Sequence, residues 1–456
     1  MKNVEFLNAP NKLNSCLLNL TNNCNLACEY CIMQQPELKK SYGSNCGEMS
    51  QSTAENAIDF IARNGHSRTV IVFYGGEPLL KWNLIKHIVN YRNIKYPGKF
   101  SFSIITNAYI LDEEKLSFLE NNEISILISL DGDKELNDKH RKAKDHRVSV
   151  FEQAESIISL INTKYPKIKY KVNATLCNDT LDIISTYNKF KSMGVSVMRF
   201  EKGIITSCTG FEISQKKDVT LLKRNYKKLV RRYYNDLNSG LSVSIDNFDN
   251  CLKLISSDKK RLSYCFMGQD YVDIAINGDI FPCHKLVGIN EFMIGNVNND
   301  QSMHEVVTIS ELEECKECKY RFICSGYCRS ENYLINKDFN KTVKLNCDIQ
   351  KSVFKLTFWL YKKLKTHNKK ILFKKTKFLH DLGNPLIKIK GIELLPIQSA
   401  NPLSLDIIDF FKNYNKVNTY IEKNHYKYSV NKSDFKRDVY SFLQDLYYNG
   451  NIEVIE

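Results

Sequence analysis

The chain has 456 residues, a formal net charge of +14 and 15 cysteines. This length exceeds one ordinary hydrophobic core and predicts two to four domains. The sequence has no apolar run of about 18 residues and no apolar signal region at its start, so we expect a cytoplasmic protein with no membrane partner. Cysteines in that compartment indicate metal or redox chemistry rather than disulfides.

Lysines supply most of the positive charge and are spread along the chain. Such spreading is typical of solvated surfaces, and attraction to an acidic partner is the alternative. Nucleic-acid binding is not expected, because no patch of the sequence interleaves arginines with aromatic residues.

The first half of the chain alternates short apolar strands with helical patterns. Strands are predicted at Leu17–Leu20, Val70–Tyr74, Phe102–Thr106, Ile126–Leu130, Tyr170–Thr175 and Ser196–Glu201. Helices are predicted at Ser52–Arg63, Trp82–Ile94, Asp112–Asn121, Phe151–Ile161 and Leu181–Met193. Strands that alternate with helices indicate a parallel sheet. Six such units predict an α/β fold, a partial (β/α)6 barrel over residues 1–210, with its chemistry on the loops that follow the strands.

Three cysteines directly follow the first predicted strand, in the run Cys24-Asn-Leu-Ala-Cys28-Glu-Tyr-Cys31. Three thiolates on one loop can hold three irons of a 4Fe-4S cluster and leave the fourth iron open to a small molecule. A structural zinc site is the alternative. Zinc sites of that kind close with four ligands, however, and no fourth Cys or His lies nearby in the sequence.

This spacing, with an aromatic residue before the last cysteine, resembles the radical S-adenosylmethionine (radical SAM) enzymes. In that family the open iron chelates the amino and carboxylate groups of SAM, and one-electron cleavage of SAM yields a 5′-deoxyadenosyl radical. The resemblance implies a reductant partner such as flavodoxin or ferredoxin. It also implies that Tyr30 packs near the adenine, and a plain core aromatic is the alternative for that residue.

Motifs after the next three strands agree with this resemblance. Glycines after the second strand let the backbone approach a ligand closely, and the family uses this segment for the SAM amino group. By resemblance to sulfatase-maturing enzymes, Ser129 would face the ribose and Arg141 would hold the SAM carboxylate through a planar fork. A surface ion pair is the alternative for Arg141. The predicted SAM-binding residues are Tyr30, Gly75, Gly76, Glu77, Pro78, Thr106, Asn107, Ser129, Asp131 and Arg141.

A second cysteine group follows a predicted bridging helix, Asp218–Leu237, in residues 211–250. Its spacing resembles the seven-cysteine SPASM domain, which we place at residues 251–350 and which holds two auxiliary 4Fe-4S clusters. A zinc ribbon is the alternative for the four-cysteine run that begins at Cys315. The resemblance implies an outer cluster on Cys315, Cys318, Cys324 and Cys347, and an inner cluster on Cys265, Cys283 and Cys328.

The inner cluster would need a fourth ligand or would keep an open iron. Cys251 is the candidate ligand, and the alternative is an open iron that captures a substrate thiolate. His284 is the candidate catalytic residue, because it stands where sulfatase maturases carry a basic aspartate, and this difference puts formylglycine formation in doubt. His284 could move protons or could hydrogen-bond a cluster sulfur.

Residues 351–456, after the second cysteine group, are predicted to form a helix, a linker and a further domain. A helix, Ser352–Leu364, and a basic linker are predicted at residues 351–384. Beyond them we predict an extended stretch, three helices and a strand, at Leu386–Leu395, Ser404–Phe411, Val417–Ile421, Ser433–Tyr448 and Ile452–Ile455. One face of the last helix carries Phe435, Val439, Phe442 and Leu446.

This order is typical of a winged helix. Residues 385–456 resemble the PqqD-like recognition element of enzymes that modify ribosomally made peptides, which binds a leader peptide as an added β-strand. A helical cap over the SPASM domain and a DNA-binding winged helix are the alternatives. The acidic residues of the last helix disfavour the DNA-binding alternative.

Together these features predict a radical SAM peptide maturase with three 4Fe-4S clusters and SAM as cofactors. Its partner would be a precursor peptide with a leader, and its product a thioether between a cysteine sulfur and a carbon. The alternatives are a carbon–carbon crosslink, another oxidation of a peptide residue, and an electron-transfer or scaffold protein. The last of these leaves Gly75–Pro78 and Arg141 unexplained.

Overall fold

We analysed the chain in a computed structural model. The structure describes residues 6–7, 12–34, 47–145, 148–203, 210–256, 260–297, 312–367, 386–389, 407, 410–411, 415–428, 432, 435–436, 439, 443 and 452–455. The chain divides into two compact units, Met1–Leu360 and Tyr361–Glu456. The first unit brings together the predicted barrel, bridging helix and second cysteine group. Among the described residues, no helix is both long and apolar enough to cross a membrane.

The described strands of the first unit form one main sheet of ten strands and a separate pair. They are β1 Phe6–Leu7, β2 Leu13–Thr21, β3 Gly65–Gly75, β4 Ser101–Thr106, β5 Ser125–Ser129, β6 Tyr170–Leu176, β7 Val197–Lys202, β8 Ser244–Ile245, β9 Lys260–Arg261, β10 Tyr271–Ile274, β11 Asp279–Phe281 and β12 Gly295–Asn296. The order in the main sheet is β12–β11–β10–β2–β3–β4–β5–β6–β7–β8, and β1 pairs only with β9. Neighbours from β10 to β8 run parallel. The predicted α/β fold with a parallel sheet is therefore confirmed, with the six predicted strands as β2–β7.

Helices connect these strands. They are α1 Gln51–Asn64, α2 Trp82–Lys95, α3 Glu113–Asn121, α4 Lys134–His140, α5 Val150–Lys164, α6 Ile183–Ser192, α7 Lys216–Asn238, α8 Asp246–Ser256, α9 Arg321–Cys324, α10 Arg329–Asn336 and α11 Lys344–His367. Several begin at capping side chains, as where Asp112 accepts a hydrogen bond from the Lys115 amide. Helix α11 begins eight residues before the predicted Ser352, because the preceding residues contain no glycine or proline to stop it.

The sheet has a covered face and a face that lines a cavity. On β3, Ile71 and Phe73 are fully buried, whereas the alternate residues Val72 and Tyr74 are less buried. Successive side chains on a strand point to opposite faces, so Ile71 and Phe73 face the helical layer. The same alternation recurs on β4, β5 and β6. Side chains on the second face therefore converge on one cavity.

The second unit contains a small antiparallel sheet. Its strands are β13 Leu386–Ile389, β14 Asn415–Lys416 and β15 Ile452–Ile455, with β13 in the centre. Helix α12, Val417–Asn424, follows β14 directly. Two residues of the predicted apolar face, Phe435 and Val439, are buried, together with Leu443. Phe442 and Leu446 lie outside the described residues.

Candidate active site and cysteine sets

One cavity of about 660 Å³ collects most of the predicted site. It opens where strands β2–β7 end, which is where parallel α/β sheets place ligands. From the predicted SAM-binding, catalytic and metal residues it gathers Tyr30, Gly75, Gly76, Glu77, Thr106, Asn107, Ser129, Arg141, His284, Cys24, Cys28, Cys31, Cys265, Cys283 and Cys328. Sequence motifs separated by some 300 residues thus face the same space.

The first cysteine loop presents three partly exposed thiols, those of Cys24, Cys28 and Cys31. The pKa of Cys24 is raised to about 11 and that of Cys28 to about 12, chiefly by burial, with the neighbouring thiols among the smaller causes. The three thiols are thus close enough to act on one another. Thiols with such pKa values keep their protons in the absence of metal and release them when a metal binds to the sulfur.

Two N–H groups already point at the sulfur of the first cysteine. The Leu26 amide donates to Cys24 Sγ at 3.4 Å, and Asn107 Nδ2 donates to it at 3.7 Å. Hydrogen bonds of this kind stabilise cluster-bound thiolates. No three His, Cys, Asp or Glu side chains in the described part of the chain are placed to hold a single metal ion. A cluster binds each thiolate through a different iron, and three thiols on one loop are the ligand type that such a cluster takes.

The two glycines after β3 are required by the chain itself. A Cβ at Gly75 would lie 2.3 Å from the Thr21 carbonyl oxygen, and one at Gly76 would lie 2.2 Å from that of Asn23. The Gly76 and Glu77 amides donate to the same two carbonyls, at 2.8 and 2.9 Å. The backbone at Gly75 and Gly76 thus approaches the residues that begin the cysteine loop, and these contacts hold that loop against the end of β3.

Glu77 joins the loop after β3 to the end of β4. Its buried carboxylate accepts hydrogen bonds from Thr106 Oγ1 at 2.9 Å, the Asn107 amide at 2.9 Å and the Leu79 amide at 3.1 Å. Burial raises the pKa of Glu77 to about 7. Pro78 begins the short 3-10 helix Pro78–Lys81 and is buried. Glu77, Thr106 and Pro78 therefore position the loops that surround the cavity.

Tyr30, Asp131 and Arg141 form one buried cluster beside the cysteines. Arg141 Nε and Nη2 donate to the two Asp131 carboxylate oxygens at 2.8 and 3.1 Å, and Tyr30 Oη donates to the same carboxylate. The Arg141 guanidinium lies 5.4 Å from the centre of the Tyr30 ring. Arg141 is only 6% exposed, so the alternative of a surface ion pair is wrong. Arg141 also lines the cavity.

The segment that carries the first cysteine loop matches a known protein family. The model of the radical SAM superfamily matches residues 18–197, the segment that carries the end of β2, the cysteine loop, β3–β6 and the first residue of β7. Residues 18–197 are a radical SAM domain. The chain is also 28% identical over 338 residues to a cysteine-type anaerobic sulfatase-maturating enzyme of Clostridium perfringens, with 67% of this chain and 86% of that protein covered.

Two solved structures share the fold. Native anSMEcpe with bound AdoMet and Cp18Cys peptide has a TM-score of 0.64 and 21% identity, covering 78% of this chain and 99% of that chain. Streptococcus suis SuiB bound to precursor peptide SuiA has a TM-score of 0.51 and 16% identity, covering 74% of this chain and 76% of that chain.

Three cysteines outside the radical SAM domain lie on the same cavity. Burial raises the pKa of Cys265 to about 11 and that of Cys283 to about 12, and Cys328 is the next largest cause in both cases. Lys285 Nζ donates to Cys328 Sγ at 3.4 Å. The three cysteines of the predicted inner set therefore lie near one another, and their role as cluster ligands remains a prediction.

The predicted outer set is a separate group. Burial raises the pKa of Cys315 to about 11 and that of Cys324 to about 12, and in both cases Cys347 is the next cause. Cys318 contributes to both shifts as well. Cys347 lies in the first turn of α11, ahead of the helix predicted there. The four thiols thus come together from the loop at 315–324 and from α11.

Cys251 is placed differently from the prediction that it completes the inner set. It lies on α8 and packs with Tyr320 and Phe354, in an apolar cluster bordered by Cys318 and Cys324. Burial raises its pKa to about 12, and a hydrogen bond with Thr357 opposes that shift. The two cysteines beside it therefore belong to the predicted outer set. Spacing along the chain could not reveal the direction in which the Cys251 side chain points.

His284 lines the cavity next to Cys283. Its Nδ1 lies 3.1 Å from Tyr271 Oη and 3.8 Å from Cys283 Sγ. Burial, together with the nearby Lys285 and Arg199 cations, lowers the pKa of His284 to about 3. The imidazole is therefore neutral at physiological pH, and a catalytic role for it remains a prediction.

Sequence reasoning missed a charged group on β7 that also lines the cavity. Arg199 Nη2 donates to Glu201 Oε1 at 3.0 Å, and both side chains are more than a third exposed there. Next to them, Lys202 Nζ forms a 2.6 Å ion pair with the buried Glu331 of α10. Charged residues at alternate positions of a strand were the available signal, since such residues share one face.

Proposed function

We propose that this chain is a radical SAM peptide maturase carrying three 4Fe-4S clusters. The observation that carries the proposal is the single cavity, which joins the Cys24–Cys28–Cys31 loop to the inner set Cys265, Cys283 and Cys328. The printed names of the relatives support a peptide substrate, since one is a sulfatase-maturating enzyme and another is bound to a precursor peptide. A bare electron carrier would need neither the enclosed cavity nor the buried Arg141.

The residues around the cavity have distinct roles in this proposal. The first loop would hold a 4Fe-4S cluster that, with bound SAM, supplies the 5′-deoxyadenosyl radical for hydrogen abstraction from the peptide. The Arg141 guanidinium is held in place by Asp131 and lies against the Tyr30 ring. Its N–H groups that do not contact Asp131 would donate to the SAM carboxylate. Ser129 would face the ribose. Gly75–Pro78 would keep the cysteine loop at a fixed distance from both.

We further propose that the product is a thioether. The cysteines that pack beside Cys251 are Cys318 and Cys324 of the predicted outer set, which would leave the inner set with the three cysteines that line the cavity. An inner set of three favours the alternative in which a substrate thiolate takes the open position. Forming the carbon–sulfur bond removes one hydrogen atom from carbon, and it also removes a proton and one electron from the thiol. A cluster on the inner set would accept that electron.

The experiment uses the reconstituted enzyme with SAM, a reductant and candidate precursor peptides that contain cysteine. The proposal predicts loss of two hydrogens from the peptide and protection of one cysteine from alkylation, read by mass spectrometry. A formylglycine product would favour the sulfatase-maturase type of oxidation. An unchanged thiol count with loss of two hydrogens would favour a carbon–carbon crosslink.

For the C-terminal unit we propose leader-peptide binding. Its central strand β13 is flanked by β14 and β15, and β15 pairs with it over four residues against two for β14. The outer edge of β15 therefore offers the longer backbone for an added strand. The buried side chains of Val417, Tyr420 and Phe435 give the unit a core of its own.

A chain that ends at residue 384 tests this part. All ten motif cysteines precede that point, so iron content and uncoupled 5′-deoxyadenosine formation should be retained. Modification of the precursor should fall sharply, because docking raises the local concentration of the reacting segment. Loss of auxiliary iron from the shortened chain would support the helical-cap alternative, and undiminished precursor binding would refute leader recognition.

A further inference from the structure

A buried ammonium group contacts a sulfur of the inner cysteine set. Lys285 follows Cys283 by two residues and is only 8% exposed. Its Nζ lies 3.4 Å from Cys328 Sγ and donates a hydrogen bond to it. Lysine is almost never buried unless it is paired, so the groups that stabilise the buried Lys285 charge must be identified.

The two nearby carboxylates, Glu331 and Glu201, are each bonded to another basic residue. Glu331 lies close to Lys285 but has its own cation, Lys202, at 2.6 Å. Glu201, the other carboxylate nearby, accepts a hydrogen bond from Arg199 at 3.0 Å. Each carboxylate is thus matched by another basic residue. Among the described residues, Lys285 Nζ donates its hydrogen bond to Cys328 Sγ, and Glu331 and Glu201 add only electrostatic attraction.

We propose that Lys285 sets the reduction potential of the inner auxiliary cluster. The inference rests on the proposed function, because it requires a cluster on Cys265, Cys283 and Cys328. Reduction adds one negative charge to a cluster, and a fixed cation against a ligating sulfur stabilises the reduced form, more strongly in a buried site than in water. Lys285 thereby makes the inner cluster a better acceptor for the electron released when the peptide is oxidised.

The test measures potentials in protein whose Cys24, Cys28 and Cys31 are all alanine, so that only the auxiliary clusters give signals. Lys285→Met removes the charge at similar length, Lys285→Gln keeps a donor without the charge, and Lys285→Arg keeps the charge. The matched control is Lys319→Met, an exposed lysine next to Cys318 of the outer set. Potentials are read by redox titration monitored by electron paramagnetic resonance, with iron content measured in parallel.

We expect one of the two potentials to fall in Lys285→Met and Lys285→Gln, by at least a tenfold change in the reduction equilibrium, about 59 mV for one electron. Lys285→Arg and Lys319→Met should leave both potentials in place. Unchanged potentials in Lys285→Met and Lys285→Gln at full iron content would overturn the role proposed for Lys285 and would leave the proposed function standing. Loss of inner-cluster iron from both uncharged variants would also overturn it, in favour of ligand retention. Absence of auxiliary iron from the parent protein would overturn the proposed function as well.

Discussion

Replacing Asp131 with Asn removes the counter-charge of a buried arginine at almost constant side-chain size. The native carboxylate accepts two hydrogen bonds from Arg141, at 2.8 and 3.1 Å, and one from the Thr175 amide at 2.8 Å. Removing one partner of a buried ion pair costs about 3–5 kcal/mol, because the other charge stays buried and uncompensated. The asparagine oxygen still accepts some of these bonds. We therefore expect a loss of about 3 kcal/mol, at the lower end of that range.

Thermal unfolding of the reconstituted protein measures this loss. One kcal/mol shifts Tm by about 2–4 °C in domains of 150–250 residues and by less in a larger unit, so a fall of roughly 4–8 °C is expected. Glu152→Gln is the control, because its ion pair with Lys134 is more than half exposed on both sides and contributes little. Equal Tm shifts in the two variants would refute the claim that Asp131 holds Arg141 in place.

Two further predictions concern the same end of the sheet. Arg141→Lys keeps the charge but loses the planar fork held by Asp131, so SAM affinity measured by calorimetry should fall several-fold or more; unchanged affinity would leave Arg141 with a purely structural role. Burial raises the pKa of Glu77 from 4.5 to about 7, so the folded state keeps a proton that the unfolded state releases, and stability should fall by up to about 3 kcal/mol as pH rises from 4.5 to 7. Denaturant titrations at several pH values should show this slope in the native protein and a flatter one in Glu77→Gln; identical slopes would contradict the raised pKa.

The parallel strands were predictable because each is a short β-branched run followed by turn residues. Val70–Tyr74 and Tyr170–Thr175 lie within observed strands for this reason. Strand β10, Tyr271–Ile274, was missed. It is four residues long, contains the buried Asp273, and pairs with β2, which lies some 250 residues away in the chain. Local patterns carry no information on such a pairing.

The site was predictable where its chemistry depends on the spacing of residues along the sequence. It was less predictable where the chemistry depends on the direction in which a side chain points. The cysteine loop and the inner cysteines do share a cavity. Gly75 and Gly76 line that cavity, and they also pack against backbone carbonyls of the chain, a contact that the motif did not indicate. Cys251 was assigned by its distance along the sequence to Cys265, whereas its side chain packs beside Cys318 and Cys324. Contacts of this kind depend on helix orientation, which one sequence does not specify.

The most direct test of the central claim replaces Cys24, Cys28 and Cys31 with alanine together. The protein should still fold, because these thiols are only partly buried and the sheet does not depend on them. Iron should fall from about twelve to about eight per chain, and reductive formation of 5′-deoxyadenosine from SAM should be abolished. Continued SAM cleavage by this variant, or unchanged iron, would contradict the assignment of the first cysteine loop.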